Sequence, residues 1–468
     1  MKSSGPHIPN MSISFSTEAL FELALPNIAS ILTEWLDIRS VGRLDLACCN
    51  RMARASYIGT CQQKEVAFTV RTEQCIDYLL EWLILRQFHV VSCIYSFETD
   101  IVLFANYLST NGDHLHHITI RGRDTDQAKF VEMVAITGQI ALKCTHLKSV
   151  CFNKCSLIPC IADIFNANRN LVKLTFGNCK AYGTYPTNGF KLVLLRDLFV
   201  QNCELSASCA IYLGTLASSA KKLDISVENH DLPIFRLLVN PLSNLTRIDL
   251  SNVQLTDSDL TSIVLGCPQI SALVIPECNH LSNAGVQFAI QHLRLKLLDI
   301  GYTYFADVVL QEVEKSCSTL EILLFECTST FSVEAIAGVL RNSSNINAIG
   351  MGWVGAKPED FVKVVAPAFE NLTTLVLIRD LKCNALLLAV AKYCRRLKKL
   401  DISDDGKSCT PNIRTGLVVV LTQCVHLRLL IMTPADIELH FSGTARVMLS
   451  CLRPGLRLSS NMGLLEFF

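Results

Sequence analysis

One pattern recurs through most of this chain: apolar-x-x-apolar-x-apolar, about every 25 residues from Glu65 to Met432. Its first position falls at Glu65, Val90, Leu115, Leu147, Leu171, Leu195, Ala220, Leu245, Ile270, Leu295, Leu320, Ile346, Leu372, Leu397 and Leu427. Positions one, four and six are apolar in every unit, with Glu65 the single exception. A chain that is 50% hydrophobic fills only half of such sites by chance, so the register is imposed by structure.

The spacing dictates the unit. In Leu245-Thr-Arg-Ile248-Asp-Leu250, Ile248 and Leu250 alternate on one face of an extended strand, and Leu245 closes the same core from the turn before it. About ten residues later comes a helical stripe: Leu260, Ile263 and Val264 here, Gly285, Phe288 and Ala289 in the next unit. One strand and one helix bury too little apolar surface, at roughly 1.5–3 kcal/mol per side chain, to offset about 1–2 kcal/mol of backbone entropy per residue. Stacked neighbours supply the rest. A fixed period in the twenties with this spacing is the mark of the leucine-rich repeat. The expected fold is α/β, a leucine-rich-repeat solenoid over residues 61–440 with about 15 strand-helix units. Strands about 4.8 Å apart stack more closely than helices about 10 Å wide, which predicts a concave strand face. Residues 441–468 are expected to form a C-terminal cap or tail, and residues 1–19 a disordered N-terminus.

The cysteines follow the same register. Cys144, Cys267, Cys317, Cys394 and Cys424 each stand three residues before a first position, and Cys155, Cys179, Cys203 and Cys278 eight after one. Repeats of this class place Asn or Cys there to satisfy turn backbone. No C-x-x-C pair occurs, so the 21 cysteines are expected to be small buried residues and not metal ligands. That many thiols without an apolar export segment in residues 1–16 point to a reducing cytoplasmic or nuclear setting. The formal net charge is +0, which predicts no nucleic-acid partner and no membrane-surface footprint.

Residues 20–60 leave the period and read as three short helices. Leu25-Pro26 opens the first, which carries Ile28, Ile31, Leu32, Trp35 and Leu36 as one stripe. Val41, Leu44 and Leu46 mark the second, and the third runs from about Asn50 to Ile58. Such a segment caps an open repeat array, docks a partner, or both. Leu25-Pro26, Trp35-Leu36 and Val41-x-x-Leu44-x-Leu46-Ala47-Cys48-Cys49-Asn50-Arg51 resemble an F-box. The repeats, with Cys before and after the strand, are similar to the cysteine-containing leucine-rich repeats often joined to F-boxes. The resemblance covers about residues 20–432. It implies a substrate receptor of an SCF (cullin-type) ubiquitin ligase, with a Skp-type adaptor and cullin as partners. Leu25, Pro26, Ile31, Leu32, Leu36, Val41 and Leu44 would carry the adaptor contacts. The alternative is a non-catalytic scaffold whose N-terminal helices only cap the array.

The expected target surface is the outward strand face at positions three, five and seven. In the middle units it is mixed polar and charged, and Lys222/Asp224, Arg247/Asp249 and, near the end of the array, Lys399/Asp401 are read as solvated pairs. Further on it turns apolar. Val274, Ile322, Leu324, Val376 and Ile378, with Ala348, Gly350 and Gly352 among them and Trp353 beside them, are expected to bind a protein substrate. Insertions near Gly122–Lys129 and Asp404–Asn412 are expected to bulge as loops at a rim. Gly350-Met-Gly352-Trp-Val-Gly355 is a literal G-x-G-x-x-G, but its strand belongs to the 25-residue register and not to a dinucleotide-binding unit. His114, His116 and His117 lack a completing Cys or carboxylate for zinc. No catalytic residue, cofactor or metal is expected, and the chain is not expected to be an enzyme.

Overall fold

The protein is described from a computed structural model, which covers residues 66–69, 80–81, 83–85, 90–96, 100–122, 129–181, 183–186, 190–226, 232–326, 330–352, 357–378, 381–403, 413–441 and 455–459. Residues 20–60, with all seven expected adaptor contacts, lie outside that set, as do Trp353 and the inserted residues 123–128 and 404–412. The chain divides into two compact units, residues 1–175 and 176–468.

In the first unit, Val66–Thr69, Val90–Ser96, His117–Arg121 and Ser149–Asn153 pair in sequence order, all parallel. The next strand, Lys173–Gly177, begins against Lys148, whose carbonyl accepts from both Val172 and Lys173 N–H. The second unit continues the scheme from Asp197–Gln201 to Leu429–Ile431, again parallel and in sequence order. Every expected repeat therefore carries a strand, and each strand begins within two residues of its first position. The fold is an α/β leucine-rich-repeat solenoid. Residues Arg457–Ser459, in the segment expected as a tail, add one more parallel strand beside Leu429–Ile431.

An apolar seam runs behind the strands of each unit. From Val90 to Met432, no residue at positions one, four or six is more than 2% exposed. The helices close it from the other side. Leu260, Ile263 and Val264 are buried in the helix Asp257–Gly266, as their spacing requires. The next helix, Asn283–His292, differs in one place: it buries Gly285, Val286, Ala289 and Ile290, while Phe288 is half-buried and stacks on His292 at 3.9 Å. The apolar stripe is thus turned by about one position from the expected one.

Polar atoms join successive units. Residues eight places into the unit, Lys154, Asn178, Asn202, Asn252, Glu277 and Tyr302, all adopt left-handed backbone, φ 51–60°. That turn points their N–H groups at the following repeat: Asn178 donates to Gln201 O, Asn252 to Pro276 O and Glu277 to Gly301 O. The cysteine just after such a turn fills the space beneath it, and its thiol donates to a carbonyl, as Cys155 does to Ile120 O and Cys278 to Leu250 O. Cysteines before the strand behave alike: Cys267 Sγ donates to Leu242 O at 2.9 Å. Burial pushes the Cys93, Cys144, Cys209 and Cys278 thiols up to about 12, which keeps them protonated donors.

Two further contacts tie distant residues. Asn168, 1% exposed, accepts from Leu147 N and donates to Cys144 O and Ile164 O, so one amide bridges two turns of the first unit. Lys382 and Asp436, 54 residues apart, form an ion pair with both side chains buried, and Thr433 Oγ1 donates to the same carboxylate.

Replacing Asn168 by Leu orphans the Leu147 N–H and the Cys144 carbonyl in the core. The expected loss is about 2–6 kcal/mol, from two buried unsatisfied groups at roughly 1–3 kcal/mol each. Chemical denaturation of the variant against the parent measures it.

Candidate recognition surface

Parallel pairing in register brings one position of every repeat into one row across the sheet. At position five of the second unit that row reads Phe199, Asp224, Asp249, Val274, Asp299, Leu324, Gly350, Val376, Asp401 and Ile431, each beside the next. It lies on the face opposite the seam, where the sequence places the target surface.

Burial separates the expected roles. Val274, Leu324 and Val376 are 0% exposed and Ala348 is 3% exposed, so they are not an open apolar patch. Val376 and Ile431 form a small cluster with Ile378 and Leu429 packed on it, and Gly350 sits under Leu324, whose Cδ2 would be 2.8 Å from an added Cβ. Only Ile322 and Ile378 of the named residues keep partial access to solvent. Both faces of this stretch of sheet are therefore buried, as parallel sheets favour. Trp353 lies outside the described residues.

Asp249 and Asp401 also differ from the solvated pairs expected for them, and Asp299 in the same row behaves as they do. Asp249, Asp299 and Asp401 are 5%, 6% and 2% exposed. Each carboxylate turns back on its own chain. Asp249 Oδ1 accepts from Ser251 N and Oγ, Asp299 Oδ1 from Gly301 N, and Asp401 Oδ1 from Ser403 N and Oγ. They are Asx-type caps on the strand exits, a local use of Asp that a reading of charge alone overlooks. The available signal is the repeated Asp-apolar-Ser/Gly triplet.

These carboxyls carry a cost. Burial pushes Asp299 up to about 7, the Asp249 charge adds to the rise, and Gly301 N–H and the Arg247 charge oppose it. Burial also raises Asp224 and Asp401 above the usual carboxylate range.

The face of the first unit is different. Its outward residues are hydroxyls, cations, one amide, one thiol and one aliphatic side chain, Ile94, at half-buried to exposed positions, with no acidic residue among them from Ser92 to Thr175. Outward Ser92, His117 and Ser149 form one row, Ile94, Thr119 and Cys151 a second, and Ser96, Arg121 and Asn153 a third. Lys173 extends the first row and is exposed. His114 and His117 are exposed, His116 is half-buried, and the rings of His116 and His117 lie edge to face at 6.4 Å. Among the described residues no group of three or more His, Cys, Asp or Glu could hold a metal. None of the described helices is long and apolar enough to cross a membrane.

No family model and no curated protein matches this chain. Solved structures do. A yeast Rad7–Elc1 complex contains a chain with 13% identity and a TM-score of 0.45, the match covering 85% of this chain and 96% of that one. The leucine-rich repeat-containing protein LegL7 from Legionella pneumophila has 10% identity and a TM-score of 0.36, over 76% and 96% of the two chains.

Two outcomes check this description. Because the Asp299 carboxyl is raised in the folded state, its contribution to stability is present below pH 3.8 and lost as pH rises through about 7. Asp299→Asn should therefore flatten the fall in stability across that interval, as read from melting temperature against pH. Leu324→Asp should lower the melting temperature steeply, since it buries an unpaired carboxylate; a soluble variant of unchanged stability would place Leu324 on an open surface.

Proposed function

We infer that the chain is a non-enzymatic recognition module, the substrate receptor of a cullin-type (SCF) ubiquitin ligase. The observation that carries the reading is the union, in one chain, of an F-box-like segment at residues 20–60 with a long parallel ladder of leucine-rich repeats. The segment docks a Skp-type adaptor through Leu25, Pro26, Ile31, Leu32, Leu36, Val41 and Leu44. The ladder holds the target on its outward strand face, where Ile322 and Ile378 of the second unit and the polar rows of the first offer accessible side chains.

Such a protein supplies no bond-making group of its own. It raises the effective concentration of the target near a conjugating enzyme, in the manner of any tethered second binding event. A rigid ladder suits the task, because contacts made on pre-ordered strands spend little binding energy on ordering. Thiols held near 12 and aspartates engaged as turn caps are structural groups in this reading. Adaptor and cullin binding place the protein in the cytoplasm or nucleus.

Affinity purification of the full chain should recover a Skp-type adaptor. Leu25→Asp together with Pro26→Gly should abolish that capture with the melting temperature of the repeats unchanged. Undiminished capture would remove these residues from the adaptor contact, and absence of any adaptor from the parent protein would sink the assignment.

A further inference from the structure

One edge of the second unit, where its strands begin, carries position two of each repeat. From Thr246 onward that position reads Thr246, Ser271, Lys296, Glu321, Asn347, Thr373, Lys398 and Arg428. Backbone bonds hold these residues side by side: Glu321 N donates to Lys296 O, Lys398 N to Thr373 O and Arg428 N to Lys398 O. Where neighbours have opposite charge they pair, and Lys296 Nζ meets Glu321 Oε1 at 2.9 Å. Side chains at position two therefore reach across one repeat. Lys398 and Arg428 stand in the same relation with like charge, which opposes folding.

Further cations join them. Arg396 comes two residues before Lys398, at most about 7 Å along the chain. Arg457 N donates to Arg428 O, which brings the strand Arg457–Ser459 to the same edge. Arg396, Lys398, Arg428 and Arg457 are exposed. None of the four has an ion pair or a side-chain hydrogen bond among the described residues. Glu370 stands at the place of Arg395 one repeat earlier, so the cluster begins at Arg396.

Acids are scarce in this part of the chain. No Asp or Glu occurs in residues 381–400, 406–435 or 439–465, and from residue 381 to 468 twelve Lys and Arg stand against six Asp and Glu. Of those six, Asp401 and Asp436 are buried and already engaged, by Ser403 and by Lys382 and Thr433. Glu438 lies on the helix Pro434–Phe441. Asp404, Asp405 and Glu466 lie outside the described residues.

We propose that this edge docks an extended, Asp/Glu-rich segment of a protein partner, with Lys398 and Arg428 at its centre and Arg396 and Arg457 beside them. Same-side residues of an extended peptide recur about every 6.6 Å, and the cations step across the repeats at about 4.8 Å, so two successive same-side carboxylates fall within the cluster. Each takes the part that Glu321 plays for Lys296. Three of the four cations are arginines, whose planar fork matches a carboxylate. A nucleic-acid strand fits less well, because it needs a longer cationic track. Along this edge Thr373 and Asn347 are neutral and Glu321 beyond them is acidic.

The inference adds an edge surface to the outward strand face and rests on the reading of the chain as a protein-binding module. The test is fluorescence anisotropy with the full chain and a labelled, unphosphorylated Glu-rich peptide. Saturable binding that weakens with added salt is expected. Lys398→Glu and Arg428→Glu should each weaken it by about tenfold or more, and Lys398→Gln and Arg428→Gln by less, with melting temperatures not lowered. Lys315→Glu, on the helix Asp307–Ser316, should bind as the parent does, and so should Asp404→Asn with Asp405→Asn, and Glu466→Gln. Absence of saturable binding, or parental binding by the Lys398→Glu and Arg428→Glu variants, would overturn the proposal. So would tighter binding of a single-stranded oligonucleotide of the same charge. Marked tightening on removal of Asp404 and Asp405 or of Glu466 would show the cations already neutralised within the chain, with the same consequence. No adaptor enters this assay, so its failure leaves the adaptor assignment standing, and loss of adaptor capture leaves this surface standing.

Discussion

Everything in this protein depends on parallel strands that pair in register one repeat at a time. Pairing fixes the backbone, and the fixed backbone sends positions one, four and six of each unit into a common apolar seam. Because the seam is shared, each repeat is stabilised by its neighbours and not by itself. The left-handed residues eight places into the unit serve the same end. Asn178, Asn202 and Asn252 accept a conformation that side chains ordinarily resist, and in return their N–H groups reach the next repeat. Glu277 and Tyr302, whose side chains are not the short amide that favours this conformation, take the same turn. The ladder overrides the preference of the individual residue.

The same ladder sorts the outward face. A row built from one position per repeat turns any bias at that position into a stripe. From Asp249 onward the second unit's stripe mixes aspartate with aliphatic side chains and is buried, so its carboxylates cap turns and its aliphatics pack on one another. The first unit's stripes are hydroxyl-rich and cationic and keep contact with solvent. One architecture thus carries a closed stretch in the second unit and an open stretch in the first.

Much of this was legible in the amino-acid sequence, because period and face follow from local geometry. Ile248, Leu273 and Leu298 could be assigned inward from spacing alone, and the cysteines at their two fixed offsets could be read as turn-filling residues. Exposure of the other face was not legible. Val274 and Leu324 occupy outward positions in sequence and are buried in the fold, because whether a sheet face is covered depends on residues remote in the chain. The charge of Asp249 and Asp401 misled for a different reason: a carboxylate two residues from a cation suggests a surface pair, while it accepts from the hydroxyl and the N–H of the serine two residues on. The helix Asn283–His292 shows the remaining gap, since Phe288 could be placed on the stripe only to within one position.

The buried pair of Lys382 and Asp436 has a bearing on how the array ends. Solenoids are commonly thought of as trimmable, one repeat at a time, with damage confined to the new terminus. Here the helix Pro434–Phe441, the last of the described helices, supplies the counter-ion for an ammonium group that sits 54 residues upstream. Removing one partner of such a pair costs about 3–5 kcal/mol, because the other is left charged and dry. A chain shortened ahead of Pro434 would not simply be a shorter solenoid: it would carry an electrostatic wound two repeats inside its new edge.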